Sequence, residues 1–247
     1  MSVVRFSCLL AGMAGLTAVL AGEPGTPAPA PVPAAATPPK TPTQVAAERE
    51  WQGLLNLGAS LTERGDYPAA GIAYWQILRA HHVPPPLLKR ALLGLAHMHR
   101  RQGALTKACA IYERFLKDYP GDEHAPDALL DLGRTLRAMG ACKLALARFY
   151  GVINATLKLP GEGFERYQLL AKTAQFEIAE THFQAGEFAE AHKFFARLRL
   201  LELAPVDAAR AQFKAAAALS ALHDPEGTLA LLREYLERWP DGADAPE

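Results

Sequence analysis

One pattern of small, aromatic and glycine residues recurs five times in this 247-residue chain, and it restricts the fold more than any other feature. Aligned on Ala70, Ala108, Ala145, Ala191 and Thr228, the copies place Gly65, Gly103, Gly140, Gly186 and His223 five residues earlier. Four residues later stand Tyr74, Tyr112, Phe149, Phe195 and Leu232. Thirteen residues earlier stand Leu57, Leu95, Leu132, Ile178 and Ala215, followed directly by Gly58, Ala96, Gly133, Ala179 and Ala216. Recurrence at such a period marks a stack of similar units, each burying its apolar face on its neighbour.

Each class of position has a physical cause. Small residues let two helices approach closely, and the glycine closes a helix where a left-handed cap costs little. The ring four residues beyond the alanine lies on the same helical face and fills the groove between helices. From about residue 46 to 240 apolar residues recur at spacings of three and four, and β-branched runs are absent. Turn signals punctuate that stretch at Gly65-Asp66, Pro84-Pro85-Pro86, Gly103, Pro120-Gly121, Gly140, Pro160-Gly161, Gly186, Pro205, Asp224-Pro225 and Pro240. About ten helices in antiparallel pairs follow. The expected class is all-α.

The pattern of Leu-Gly or Leu-Ala, turn glycine, alanine, aromatic and closing proline (Pro120, Pro240) resembles the tetratricopeptide repeat family over roughly residues 48–240. The resemblance implies a right-handed α-solenoid of about five helix pairs that binds proteins. It is weakest in the fifth copy, where Thr228 and His223 replace the small residue and the glycine. Successive copies are 38, 37, 46 and 37 residues apart, longer than the usual 34 or so. Pro160-Gly161-Glu162-Gly163 marks the long interval. The junction from Tyr119-Pro120 to Ala125-Pro126 is similar to that of bacterial envelope members of the family. Among these are the lipoprotein of the outer-membrane assembly machinery and the periplasmic coordinator of the Tol–Pal system.

The N-terminus reads as a secretory signal over residues 1–21. Arg5 supplies the positive start, an apolar run extends from Cys8 to Leu20, and Val19-Leu20-Ala21 offers small residues for cleavage. Such a run is too short to span a bilayer, which takes roughly 20 residues. Leu20-Ala21-Gly22 begins like a lipobox, but Glu23 stands where the lipid-accepting thiol must be, so no lipid anchor is expected there. Residues 22–45 form a Pro/Ala-rich linker. With eight prolines and only Glu23 and Lys40 charged between residues 23 and 44, it reads as an extended, non-helical tether. At roughly 3.1 Å per residue it reaches about 70 Å.

Residues 241–247 repeat the Pro-Gly-Asp type of junction seen at 120–127, so they read as a tail or the start of a further repeat. The last helix is then covered by a partner, followed by more chain, or polar enough to end the array, and its exposed face is a candidate for self-association. Cys109 and Cys142 fall on second helices of neighbouring repeats, where they either pack or, after export, form a bridge.

Chemistry beyond binding finds little support. With 26 basic and 26 acidic residues the chain has no net charge, which argues against nucleic acid as a partner. Gly161-Glu162-Gly163 follows no strand and cradles no phosphate. His97 and His99 lie two apart and point to different sides of a helix, so they form no metal pair. No serine has a nucleophile-elbow setting. No cofactor and no enzymatic activity are expected.

In the family the first helix of each pair lines a concave groove. Carried over, this implies Arg90, Leu93, His97, Arg100 and Arg101 from the second repeat, and Asp127, Leu130, Arg134, Arg137 and Ala138 from the third. Thr173, Phe176, Glu180, Phe183, Arg210 and Phe213 follow from the last two. Such a groove is basic in its middle and aromatic toward its C-terminal end. Guanidinium groups favour carboxylates, so an acidic or C-terminal peptide is the expected guest. The resulting expectation is an exported scaffold of the periplasm or cell envelope. The alternatives are a self-assembling structural protein and an accessory subunit of a secretion apparatus or exported enzyme.

Overall fold

The computed structural model describes residues 41–157, 164–199, 205–240 and 242, and all regular structure among them is helical. Among the described residues ten helices follow one another: α1 (Pro42–Arg64), α2 (Tyr67–Arg79), α3 (Pro85–Arg101), α4 (Leu105–Asp118), α5 (Ala125–Ala138), α6 (Cys142–Thr156), α7 (Phe164–Gln184), α8 (Phe188–Leu198), α9 (Pro205–Ala221) and α10 (Pro225–Arg238). Each packs on the next, and α1 also meets α3, α3 meets α5, and α5 meets α7. The odd-numbered helices therefore form the inner wall of a right-handed solenoid of five antiparallel pairs.

The hairpin within each pair is closed by one recurring cap. Gly65, Gly103, Gly140 and Gly186 have φ between 78° and 81°, a left-handed conformation that L side chains resist. Beside each, the next residue reaches back five positions: Asp66 N–H to Leu61 O, Ala104 to His99, Ala141 to Leu136, and Glu187 to His182, all at 2.9 Å. His223 takes the same role at φ 58°, with Asp224 N–H donating to Leu219 O at 3.1 Å. The fifth hairpin thus keeps the shape without the glycine.

The aligned alanines Ala70, Ala108, Ala145 and Ala191 are fully enclosed, and Tyr112, Phe149 and Phe195 are buried beside them. The small residues are needed for contact with these rings. A Cβ on Gly133 would lie 2.5 Å from the Phe149 ring, and Tyr74 is held between Gly58 of α1 and Gly94 of α3 in the same manner. The fifth repeat departs from expectation. Leu232 is only half-buried, and the enclosed ring is Tyr235, seven residues past Thr228, packed against Phe213 and Trp239. Ile77, Phe115, Val152 and Leu198 hold that same position in the other repeats, so this is a second inward-facing turn of the helix.

One further expectation needs correcting. The tether was expected to run through residue 45, yet α1 begins at Pro42. Proline lacks only an N–H that is unsatisfied in a first turn anyway. Thr41 completes a capping box, accepting from Gln44 N–H at 3.3 Å while Gln44 Oε1 accepts from Thr41 N–H at 2.9 Å. Leu57 is 50% exposed although Leu95, Leu132, Ile178 and Ala215 are buried. Among the described residues no earlier helix covers that face of α1. The expected signal segment, 1–21, and most of the linker, the turn from Pro160 to Gly163, and most of 241–247 lie outside the described residues. Cys109 and Cys142 are both free thiols.

Candidate functional site

The inner wall holds two cavities in line along the odd-numbered helices. The first, about 390 Å³, lies across α1, α3 and α5 and is lined by Glu63, Leu93, Gly94, His97, Asp127 and Asp131, with Tyr74 and Tyr112 beneath. The second, about 200 Å³, lies across α5, α7 and α9. Arg134, Arg137, Lys172, Thr173, Phe176 and Arg210 line it together with Glu177, Glu180 and Asp207.

The arginines expected to make this wall basic are already paired. Arg101 Nη1 lies 2.8 Å from Glu63 Oε2, and Arg100 Nη2 lies 3.8 Å from Asp131 Oδ1. Arg134 Nε donates to Glu177 Oε1 at 2.6 Å, and Arg137 Nη2 stands 2.6 Å from the other oxygen of that carboxylate. Glu180 in turn meets Lys214 at 3.4 Å and Arg210 at 4.0 Å. A basic middle was therefore the wrong expectation. The wall is a charge-balanced ladder, because α1, α5 and α7 supply carboxylates opposite the cations of their neighbours.

The ladder keeps a register. Arg100, Arg137 and Phe183 all lie eight residues before their aligned alanine, and Asp131, Glu177 and Lys214 lie fourteen before Ala145, Ala191 and Thr228. Each member of the first set meets the member of the second on the next repeat: Arg100 with Asp131, Arg137 with Glu177, and Phe183 under the Lys214 ammonium at 5.3 Å. Burial pushes the Asp131 carboxyl up, but His97 and the charges of Arg100 and Arg134 pull it further down, so its pKa ends below the usual value. Arg134 is opposed by burial and favoured more strongly by Glu177 and Asp131, which raises its pKa. Tyr112, enclosed and next to Asp131, is raised mainly by burial.

Other expected groove residues divide cleanly. Leu93 and His97 line the first cavity, and Phe176 the second. Arg90 is exposed on α3 and donates to Gln52 Oε1 at 2.9 Å. Leu130 is 6% exposed and belongs to the core, since its side of α5 faces the neighbouring helices instead of the wall. Phe183 packs on Phe188 of α8, and Phe213 on Tyr235 of α10, and neither lines either of these two cavities. Of the three phenylalanines only Phe176 does so, with the Arg210 guanidinium 5.1 Å above its ring. Glu63, Asp131 and Glu177 were missed; the signal was their register against the arginines one repeat away. Among the described residues no group of three His, Cys, Asp or Glu side chains could hold a metal ion.

The family model described as "Tetratricopeptide repeat" matches residues 90–122, from α3 to just beyond α4. The whole helical array is similar to solved structures of such repeats. BtubC (BKLC) from P. vanneervenii superposes with a TM-score of 0.64 at 17% identity, covering 83% of this chain and 86% of that one. A kinesin light chain of Podosopora anserina with nearly identical TPR-like repeats gives 0.63 at 16% identity, covering 79% and 98%. The MamA protein gives 0.59 at 16% identity, covering 79% and 98%. The fold is a tetratricopeptide-like solenoid. No curated protein matches the chain by sequence. Solenoids of this kind are typically scaffolds that bind other proteins, and at these identities the likeness carries the fold alone.

Proposed function

We propose that the chain is an exported protein–protein interaction scaffold whose inner wall holds an extended segment of a partner. The observation that carries this reading is the alignment of the two inner cavities along α1 to α9, with charged and aromatic side chains held in place by inter-repeat pairs. Preorganised side chains lose little freedom on binding. Because the arginines are neutralised, the guest is a segment of mixed polarity that exchanges hydrogen bonds with the ladder, not a strongly acidic one. The signal-like N-terminus supports export, and the resemblance to envelope members makes the periplasm or cell envelope the setting. The role is binding, not catalysis.

Photo-crosslinking side chains placed at Leu93 and Thr173, with Tyr150 on α6 as the outer control, test the groove. Discrete adducts to a single stretch of another protein are expected from the first two sites. Adducts only at Tyr150 would overturn the assignment. N-terminal sequencing tests export: the exported form should begin after Ala21, and an intact Met1 start confined to the cytoplasm would refute it.

A second reading is self-association through α10, favoured by the exposure of Leu229 and Leu236 on that helix. A mass in light scattering that stays monomeric across a hundredfold concentration range would dismiss it.

A further inference from the structure

The largest cavity described is on neither inner site. It lies between α2 and the turn joining α3 to α4, at about 460 Å³. Its floor is Met98, buried at 3% exposure, and Gly71 of α2 leaves that floor open: a Cβ there would stand 3.5 Å from Met98 Cε. Ile72 and Trp75 rise beside it at 62% and 46% exposure, large apolar side chains left in water. Arg79, His99 and Lys107 complete the rim.

The charge pattern differs in kind from that of the inner wall. No aspartate or glutamate lines this cavity, and among the described residues neither Arg79 nor Lys107 is in an ion pair. The Arg79 guanidinium stands 5.2 Å over the Trp75 ring, and a guanidinium held on a ring face still has N–H groups to offer a carboxylate. An apolar recess with two uncompensated cations at its mouth asks for one chemistry. It suits an aliphatic side chain inserted against Met98, Ile72 and Trp75, flanked by carboxylates that reach Arg79 and Lys107.

We infer that this outer flank is a second docking site, taking a short acidic and aliphatic peptide segment of a partner protein. A peptide fits better than a membrane surface because the apolar floor is recessed between two helices, where a side chain reaches and a bilayer face does not. The site is independent of the inner groove, since it shares no lining residue with either inner cavity. A partner of one sequence can thus engage the inner wall while another holds the flank.

Panning a library of displayed twelve-residue peptides against the full chain tests this directly. The selected pool should be rich in aspartate and glutamate around one or two aliphatic residues. Binding of its members should weaken at least about tenfold in Arg79→Glu/Lys107→Glu and in Trp75→Ala, as expected of central anchors. It should be unchanged in Thr173→Arg, which alters only the inner wall. Trp75, Arg79 and Lys107 are exposed and Thr173 is half-buried, and circular dichroism of each variant checks that the fold is kept.

A pool without acidic excess, or binding indifferent to the double charge reversal, overturns the inference. So does sedimentation with phosphatidylserine vesicles that the double variant abolishes, which would make the occupant a membrane. A concentration-dependent mass lost in the same variant would overturn it in favour of a second copy. Loss of inner crosslinks at Leu93 and Thr173 with flank binding intact would reject the groove reading alone.

Discussion

The inner wall and the outer flank of this solenoid use the same cationic side chains in opposite ways. On the wall, Arg100, Arg101, Arg134 and Arg137 each have a carboxylate within 4 Å, and most of these pairs cross from one repeat to the next. On the flank, Arg79 and Lys107 have none among the described residues. A count of arginines along a helix therefore says little about the potential a ligand meets. What decides it is whether the neighbouring repeat supplies the opposite charge in register. Stability in a solenoid is held largely in the contacts between adjacent repeats. The wall's charges accordingly act first as joints, and the flank's charges have no carboxylate partner among the described residues.

The largest break in this comparison comes from Glu177, 8% exposed and shared by Arg134 and Arg137. Removing one member of a buried ionic group leaves the others desolvated and unmatched. Glu177→Ala should lower stability by about 3 kcal/mol, whereas Arg79→Ala on the flank should stay within about 0.5 kcal/mol. Hydrogen exchange should show the loss confined to α5, α6 and α7, since repeats can open locally. Equal losses from the two substitutions would mean that the wall pairs are no joints.

Packing beneath the wall gives the next effect. The Cβ of Gly133→Ala would be 2.5 Å from the enclosed Phe149 ring, which has no space to retreat. Overpacking of that sort should cost about 2 kcal/mol, read from urea unfolding. A gain in stability would show that Gly133 is not placed there for close approach.

Much of this was legible in the chain because repetition averages out local ambiguity. Five turn positions were marked by Gly65, Gly103, Gly140, Gly186 and His223, and all five take the left-handed cap. The class and the pairing of helices follow from that alone. The groove was harder, since family positions name the helix face but not the charge across from it. Asp131 and Glu177 became visible only when positions on different repeats were read as pairs. Leu130 and Phe213 were not placed by the family positions for a related reason: a helix of 14 to 17 residues has several faces, and each of these two lies on one turned to a neighbouring helix. The flank was invisible because it joins α2 to the start of α4, and nothing in the repeat spacing marks Ile72 and Trp75 as left in solvent.

Acid should also tell the two faces apart. Asp131 has a folded pKa below its ordinary 3.8, so the folded state binds fewer protons than the unfolded one. The stability it supplies is present above the unfolded value and is lost as pH falls through the folded value. Asp131→Asn should remove about 1.5 kcal/mol at pH 7 and flatten the decline in stability below pH 4. Burial and the Lys107 charge hold the His99 pKa below its ordinary value on the flank, against the hydrogen bond that its ring donates to Gln102 Oε1. No lowered carboxylate lines that cavity, so flank substitutions should leave the acid limb unaltered. An acid limb unchanged in Asp131→Asn would place the sensitivity elsewhere, with Asp122 at the α4–α5 turn the next group to examine, since Lys89 and His124 also hold it low.

The smallest effect separates fold from function most sharply. Gly71 sits inside α2, where glycine is about 0.8–1.0 kcal/mol less favourable than alanine. An added Cβ meets Met98 Cε at 3.5 Å, an ordinary contact, unlike the clash at Gly133. Gly71→Ala should therefore stabilise the chain by about 0.5 kcal/mol, while covering the apolar floor that the flank offers to an inserted side chain. A helix that keeps a glycine against its own stability, at the one point where it opens a recess between Ile72 and Trp75, is what a docking site requires. Acidic peptides selected on the flank should bind Gly71→Ala more weakly even though the protein is firmer. If affinity and stability instead rise together, the recess is a packing gap, and the contrast between a jointed wall and a waiting flank reduces to the pairing of arginines alone.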